Sequence, residues 1–153
     1  MPGHGRSRNV VGSYDTPADC LIATGAEERP YTGQADHLGA RAAVPRVTRR
    51  AKDLRFVLSL DEVGRGTTFH LRSAANRARV EGRIVRAGRG AVRWIKDAGS
   101  GNSDHREFTL AGLPAAKLGV PDGPCRHTAC DTPDRLEPRA FKRVRAIVER
   151  LLR

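Results

Sequence analysis

No stretch of about 18 consecutive apolar residues occurs in this chain of 153, which excludes a membrane-spanning helix. The first residues also lack the continuous apolar core of a secretory signal. Cysteine is scarce and odd in number, at three, which speaks against a secreted disulfide framework and points to a cytoplasmic protein. Aromatic residues make up only 5%, so any apolar core is thin. Lysine is rare as well: arginine outnumbers it 24 to 4 among the 28 basic residues. The familiar catalytic signatures are missing. There is no Gly-x-Ser-x-Gly, no phosphate-binding glycine loop, no dinucleotide motif and no His-Glu-x-x-His.

What the chain does contain is alternation. Leu54, Phe56, Leu58 and Leu60 fall on one side of an extended segment. Thr67, Phe69 and Leu71 repeat the pattern, as do Val80, Gly82 and Ile84, then Val92 and Trp94, then Phe108 and Leu110. Glycines and Asn76 punctuate these runs, and Ala87-Gly88-Arg89-Gly90 reads as the turn of a hairpin over Val80–Lys96. The prediction is an α+β fold. Its core is a small five-stranded antiparallel sheet, or a partly closed barrel, over residues 54–112. Residues 113–133 read as a Gly/Pro/Cys-rich connection. Residues 134–153 hold an amphipathic helix, opened by Pro138, with Phe141, Val144, Ile147, Val148, Leu151 and Leu152 at helical spacing. Residues 1–53, rich in Gly and Pro and without sustained periodicity, read as a largely disordered, flexible basic leader.

The net charge of +11 selects anionic partners. Arg77, Arg79, Arg83, Arg86, Arg89 and Arg93 crowd one segment against Glu81 alone, and on a hairpin they present guanidinium groups to a phosphate backbone. The expected function is therefore a non-catalytic nucleic-acid-binding protein, with DNA or RNA as partner. The alternative is an assembly protein that uses its leader and terminal helix for protein–protein or self-association.

Cofactors are not expected, with one conditional exception. Cys125, His127 and Cys130 form a compact set of soft ligands for zinc, with a fourth to come from His105, Cys20 or Asp131. A Cys125–Cys130 disulfide and free thiols are the competing readings. An acidic pair, Asp61-Glu62, and an acid–base pair, Asp104-His105, lie near expected strand ends, where a nuclease-like site can be built.

Overall fold

The computed structural model describes residues 10–13, 20–25, 36–49, 52, 54–75, 79–121 and 123–153. In chain order these form β1 (Val10–Ser13), β2 (Cys20–Ala23), α1 (Leu38–Thr48), β3 (Val57–Leu60) and β4 (Phe69–Ser73). There follow α2 (Glu81–Ala87), β5 (Val92–Lys96), α3 (His105–Leu110), β6 (Ala115–Gly119), a 3₁₀ turn (Pro133–Arg135) and α4 (Pro138–Leu152). No helix among them is long and apolar enough to cross a membrane.

The α+β class holds, but the sheet is four-stranded and mixed rather than five-stranded and antiparallel. Its order is β3-β6-β4-β5, with β1 and β2 paired separately as an antiparallel ribbon. β3 runs parallel to β6, β4 parallel to β5, and only β4 and β6 are antiparallel. A parallel pair cannot be joined by a tight turn and needs a crossover. The segment expected to be the first arm of a hairpin supplies it as α2, between β4 and β5. Val80, Gly82 and Ile84 satisfy a period of two, yet Val80 and Ile84 are equally one helical turn apart, and short runs do not separate the two periods. Tertiary contacts choose the helix: Ile84 is fully buried, and Glu81 accepts a 2.9 Å hydrogen bond from Ser73 at the end of β4.

The same ambiguity applies to Phe108 and Leu110. They lie on α3, where Phe108 is buried and Leu110 is exposed. The expected connection after residue 112 instead supplies β6, whose Ala116 and Leu118 face the core. Within the expected leader, the described residues form β1, β2 and α1.

Helices cover both faces of the sheet, so apolar side chains on either face find a partner layer. On one side Phe69, Leu71, Val92, Ala116 and Leu118 meet Ile84 of α2 and Val144, Ile147 and Leu151 of α4. The terminal helix thus caps the sheet, as its stripe requires, although Phe141 and Leu152 of that stripe stay exposed. Two arginines tie α2 to α4. Arg83 donates to the Leu151 carbonyl at 2.8 Å, and Arg150 donates to the Ala87 carbonyl at 2.6 Å. On the other side Ala40 and Ala43 of α1, Phe108 of α3 and Leu113 pack over Val57 and Ala115.

Candidate functional site

β3 and β6 are parallel and neighbouring, so their carboxyl ends open on the same side of the domain. The chain leaves β3 into Asp61-Glu62, and α3 begins beside them, preceded by Ser103 and Asp104. Two contacts hold this junction. Asp61 N donates to the Leu118 carbonyl at 3.1 Å, and Ser59 Oγ lies 3.5 Å from Ser103 Oγ. Gly119 permits the crossing, because a Cβ there would strike the Asp61 carbonyl.

Lys117 is the centre of the charge arrangement. It alternates with Ala116 and Leu118 on β6, and so projects from the sheet face opposite their core, 3% exposed. Its Nζ lies 2.9 Å from Asp61 Oδ2 and 2.6 Å from Glu62 Oε2. Arg126 reaches Glu62 Oε1 at 2.7 Å from the opposite side. Burial by itself raises the Asp61 carboxyl. The Lys117 charge and hydrogen bond, with a bond from Ser103, outweigh it and hold Asp61 below its ordinary value. Burial depresses the Lys117 ammonium, but its two carboxylate partners win and its pKa is raised.

Asp104 differs from Asp61. Burial dominates and raises its pKa, the neighbouring Asp61 charge adds to the rise, and the hydrogen bond from Thr24 only partly opposes it. Its Oδ1 is buried with no hydrogen-bond partner among the described residues. His105 is fully buried, and its Nε2 lies 2.8 Å from Asp97 Oδ2. A carboxylate can only accept, so Nε2 carries a proton, and in the neutral ring Nδ1 has the lone pair. That Nδ1 is also buried without a hydrogen-bond partner among the described residues. α3 is held in place by Glu107, which His37, Arg41 and Arg106 approach at 3.1, 3.4 and 2.7 Å. Asp61 is near enough to raise Asp104, while His105, the next residue, is turned to Asp97 after β5; among the described residues no three His, Cys, Asp or Glu are grouped closely enough to hold a metal ion. Asp104 Oδ1 and His105 Nδ1 carry lone pairs of the kind a metal ion takes, each without a hydrogen-bond partner among the described residues.

Gly101 is required by this geometry. It has φ +90°, and a Cβ there would fall against His105 Nε2 and Asp97 Oδ2. Gly101→Ala is expected to cost about 1–3 kcal/mol, from left-handed backbone strain and displacement of the Asp97–His105 pair. Denaturant unfolding measures it, and a change below about 0.5 kcal/mol would show that the loop refits freely.

The hairpin expected to gather six arginines on one phosphate-binding face is not formed. Arg77 lies outside the described residues. Arg79 is exposed ahead of α2, Arg83 is engaged with α4, and Arg86 is exposed in the last turn of α2. Arg89 sits in the following turn and Arg93 is exposed on β5. The crossover helix α2 stands where the first arm of that hairpin was expected. Cys125 and Cys130 are joined as a disulfide, so neither sulfur is a thiolate, and with His127 they form no ligand set in this structure. Asp61-Glu62 and Asp104-His105 were legible as pairs. Lys117, Asp97 and Ser103 were not, because nothing in the sequence brings them to those pairs.

Fold and site define an α+β domain with an acidic pair, Asp61 and Glu62, where β3 leaves the sheet beside its parallel neighbour β6. Residues 20–152 match the model of peptidase family M28, and the chain belongs to that family. Its fold is similar to that of an aminopeptidase from Aneurinibacillus sp. strain AM-1, with TM-score 0.66 and 23% identity, over 87% of this chain and 32% of that one. It is also similar to BSAP, a zinc aminopeptidase from Bacillus subtilis, with TM-score 0.63 and 19% identity, over 87% of this chain and 34% of that one. A leucine aminopeptidase precursor from Bacteroides thetaiotaomicron matches with TM-score 0.64 and 19% identity, over 86% of this chain and 51% of that one. The chain thus spans about a third to a half of these solved proteins. No curated protein sequence matches it. The family match overturns the expectation of a non-catalytic nucleic-acid binder, together with its assembly alternative. The same match removes the ground for DNA or RNA as partner.

Proposed function

We propose that this chain contributes Asp61, Asp104 and His105 to a zinc-assisted centre that hydrolyses peptide bonds at the amino termini of peptides. The reading is supported by membership of peptidase family M28 and by the buried Asp104 Oδ1 and His105 Nδ1, which have no hydrogen-bond partner among the described residues. Their chemistry fits zinc, which takes imidazole nitrogen and carboxylate oxygen and leaves a position open in catalytic sites. Asp97 fits too, since a carboxylate on the far ring nitrogen fixes the tautomer that a histidine ligand needs. Among the described residues no group of three His, Cys, Asp or Glu forms a ready-made ion site, so the set needs completion from elsewhere. Glu27 and Glu28, outside the described residues, follow by three and four positions the Thr24 that bonds Asp104. One carboxylate of such a pair can serve as ligand and the other as general base. Bound zinc would polarise the scissile carbonyl and bring the pKa of a coordinated water near 7.

The test is zinc titration of the purified chain, alongside hydrolysis of leucine p-nitroanilide with and without a chelator. Zinc uptake that weakens at least about tenfold in His105→Ala, with chelator-sensitive hydrolysis, is the expected result. A wild-type chain that takes up no zinc and releases no p-nitroaniline would overturn the reading.

A further inference from the structure

Glu62 stands at φ +57°, a left-handed conformation that a non-glycine residue holds only when its surroundings enforce it. Three contacts supply that enforcement. Lys117 Nζ grips one carboxylate oxygen, Arg126 Nε grips the other, and the Glu62 carbonyl accepts from Val120 N at 3.2 Å. The left-handed turn immediately follows Asp61, so it sets where that carboxylate points. Lys117 binds both acids at once, which ties the position of Glu62 to that of Asp61. Arg126 in turn belongs to the small loop closed by the Cys125–Cys130 disulfide, which the proposed chemistry does not use. Cys125 is buried, 5% exposed, whereas Cys130 is exposed and open to attack.

We propose that Lys117 and Arg126 are positioning residues for Asp61, and that the Cys125–Cys130 disulfide sets the grip of Arg126, making the candidate site sensitive to thiol reductants. The proposal deepens the zinc-site reading and rests on it for the role of Asp61. The redox step is a two-electron exchange. A dithiol attacks the Cys130 sulfur, the S–S bond breaks, and Cys125 leaves as a thiolate that takes a proton. The second thiol of the reductant then displaces Cys130, and the reductant ends as a cyclic disulfide. Without the bond, Arg126 loses its fixed distance from Glu62, the left-handed turn loses one of its constraints, and Asp61 samples other orientations.

Two readouts on the full chain test this. The first is amide hydrogen exchange at Asp61 and Val120, whose N–H groups bond the Leu118 and Glu62 carbonyls, with Leu71 in the core as reference. Arg126→Gln, Lys117→Arg and dithiol-treated wild type are expected to exchange at least about tenfold faster at Asp61 and Val120, with Leu71 unchanged. The second is zinc titration of Arg126→Gln and of the Cys125→Ser/Cys130→Ser double variant. Both are expected to bind about ten- to a hundredfold more weakly, the range for groups that orient a ligand, with partial recovery in Arg126→Lys. A loss of folding alone would speed exchange at Leu71 as well. Unchanged exchange at Asp61 and Val120 in Arg126→Gln and Lys117→Arg would overturn the positioning role. Faster exchange in those variants but not after reduction would overturn the disulfide's part, the loop being held by the Thr128 hydroxyl on the Cys125 carbonyl instead. If wild type takes up no zinc while exchange responds as expected, the zinc reading fails and the positioning role stands.

Discussion

Lys117→Met is expected to destabilise the folded chain by about 3–5 kcal/mol, the cost of leaving buried carboxylates without their counter-charge. Methionine fills nearly the same volume, so the loss reads charge and not a cavity. Asp61 is 31% exposed and keeps some water, while Glu62, at 16%, keeps less and retains only Arg126. That partial solvation places the effect toward the lower end of the range. For a chain of this size it corresponds to a fall in Tm on the order of 10 °C. Adding Glu62→Gln removes one of the stranded charges and is expected to recover part of the loss, giving a coupling of about 1–3 kcal/mol in a double-mutant cycle. A loss below about 1 kcal/mol, with no coupling, would show that Lys117 is not a structural counter-ion.

Phe69→Ala is expected to cost about 3–5 kcal/mol, measured as a lower denaturant midpoint at unchanged slope. Phe69 opens β4, pairs with Val92 of β5, and is completely buried in the cluster shared with Ile84, Ile147 and Leu118. Truncation there removes atoms from the layer between the sheet and α4, where helix and strands meet and collapse is difficult. Leu60→Ala, at the exposed end of β3, serves as the control and is expected to stay within about 0.5 kcal/mol. Equal losses at the two positions would mean that the core is not where the burial pattern puts it.

Charge was a poor guide to function in this chain. Net charge of +11 suggested a phosphate backbone, but the family match points away from it, and the hairpin arm that was to present the arginines is the helix α2. Some have structural duties: Arg83 and Arg150 terminate helices, and Arg126 holds Glu62. The residues that gather at the candidate site add little to net charge, because Lys117 and Arg126 offset the acids they touch.

Alternation over 57–60, 69–73 and 92–96 and helical spacing over 138–152 were sufficient to locate three strands and the terminal helix, because each run carries enough apolar residues to define a buried face. The pairs Asp61-Glu62 and Asp104-His105 were equally visible, being adjacent in the chain. Strand direction was not, since period-two alternation is the same in parallel and antiparallel sheets. For Val80–Ile84 and Phe108–Leu110 the runs were too short to separate helix from strand, and burial against α4 and α1 decided. Only the tertiary structure brought Asp61, Ser103, Lys117 and Arg126 together. β3 and β6 are neighbours in the sheet though more than fifty residues apart in sequence, and no local spacing encodes a contact across that distance.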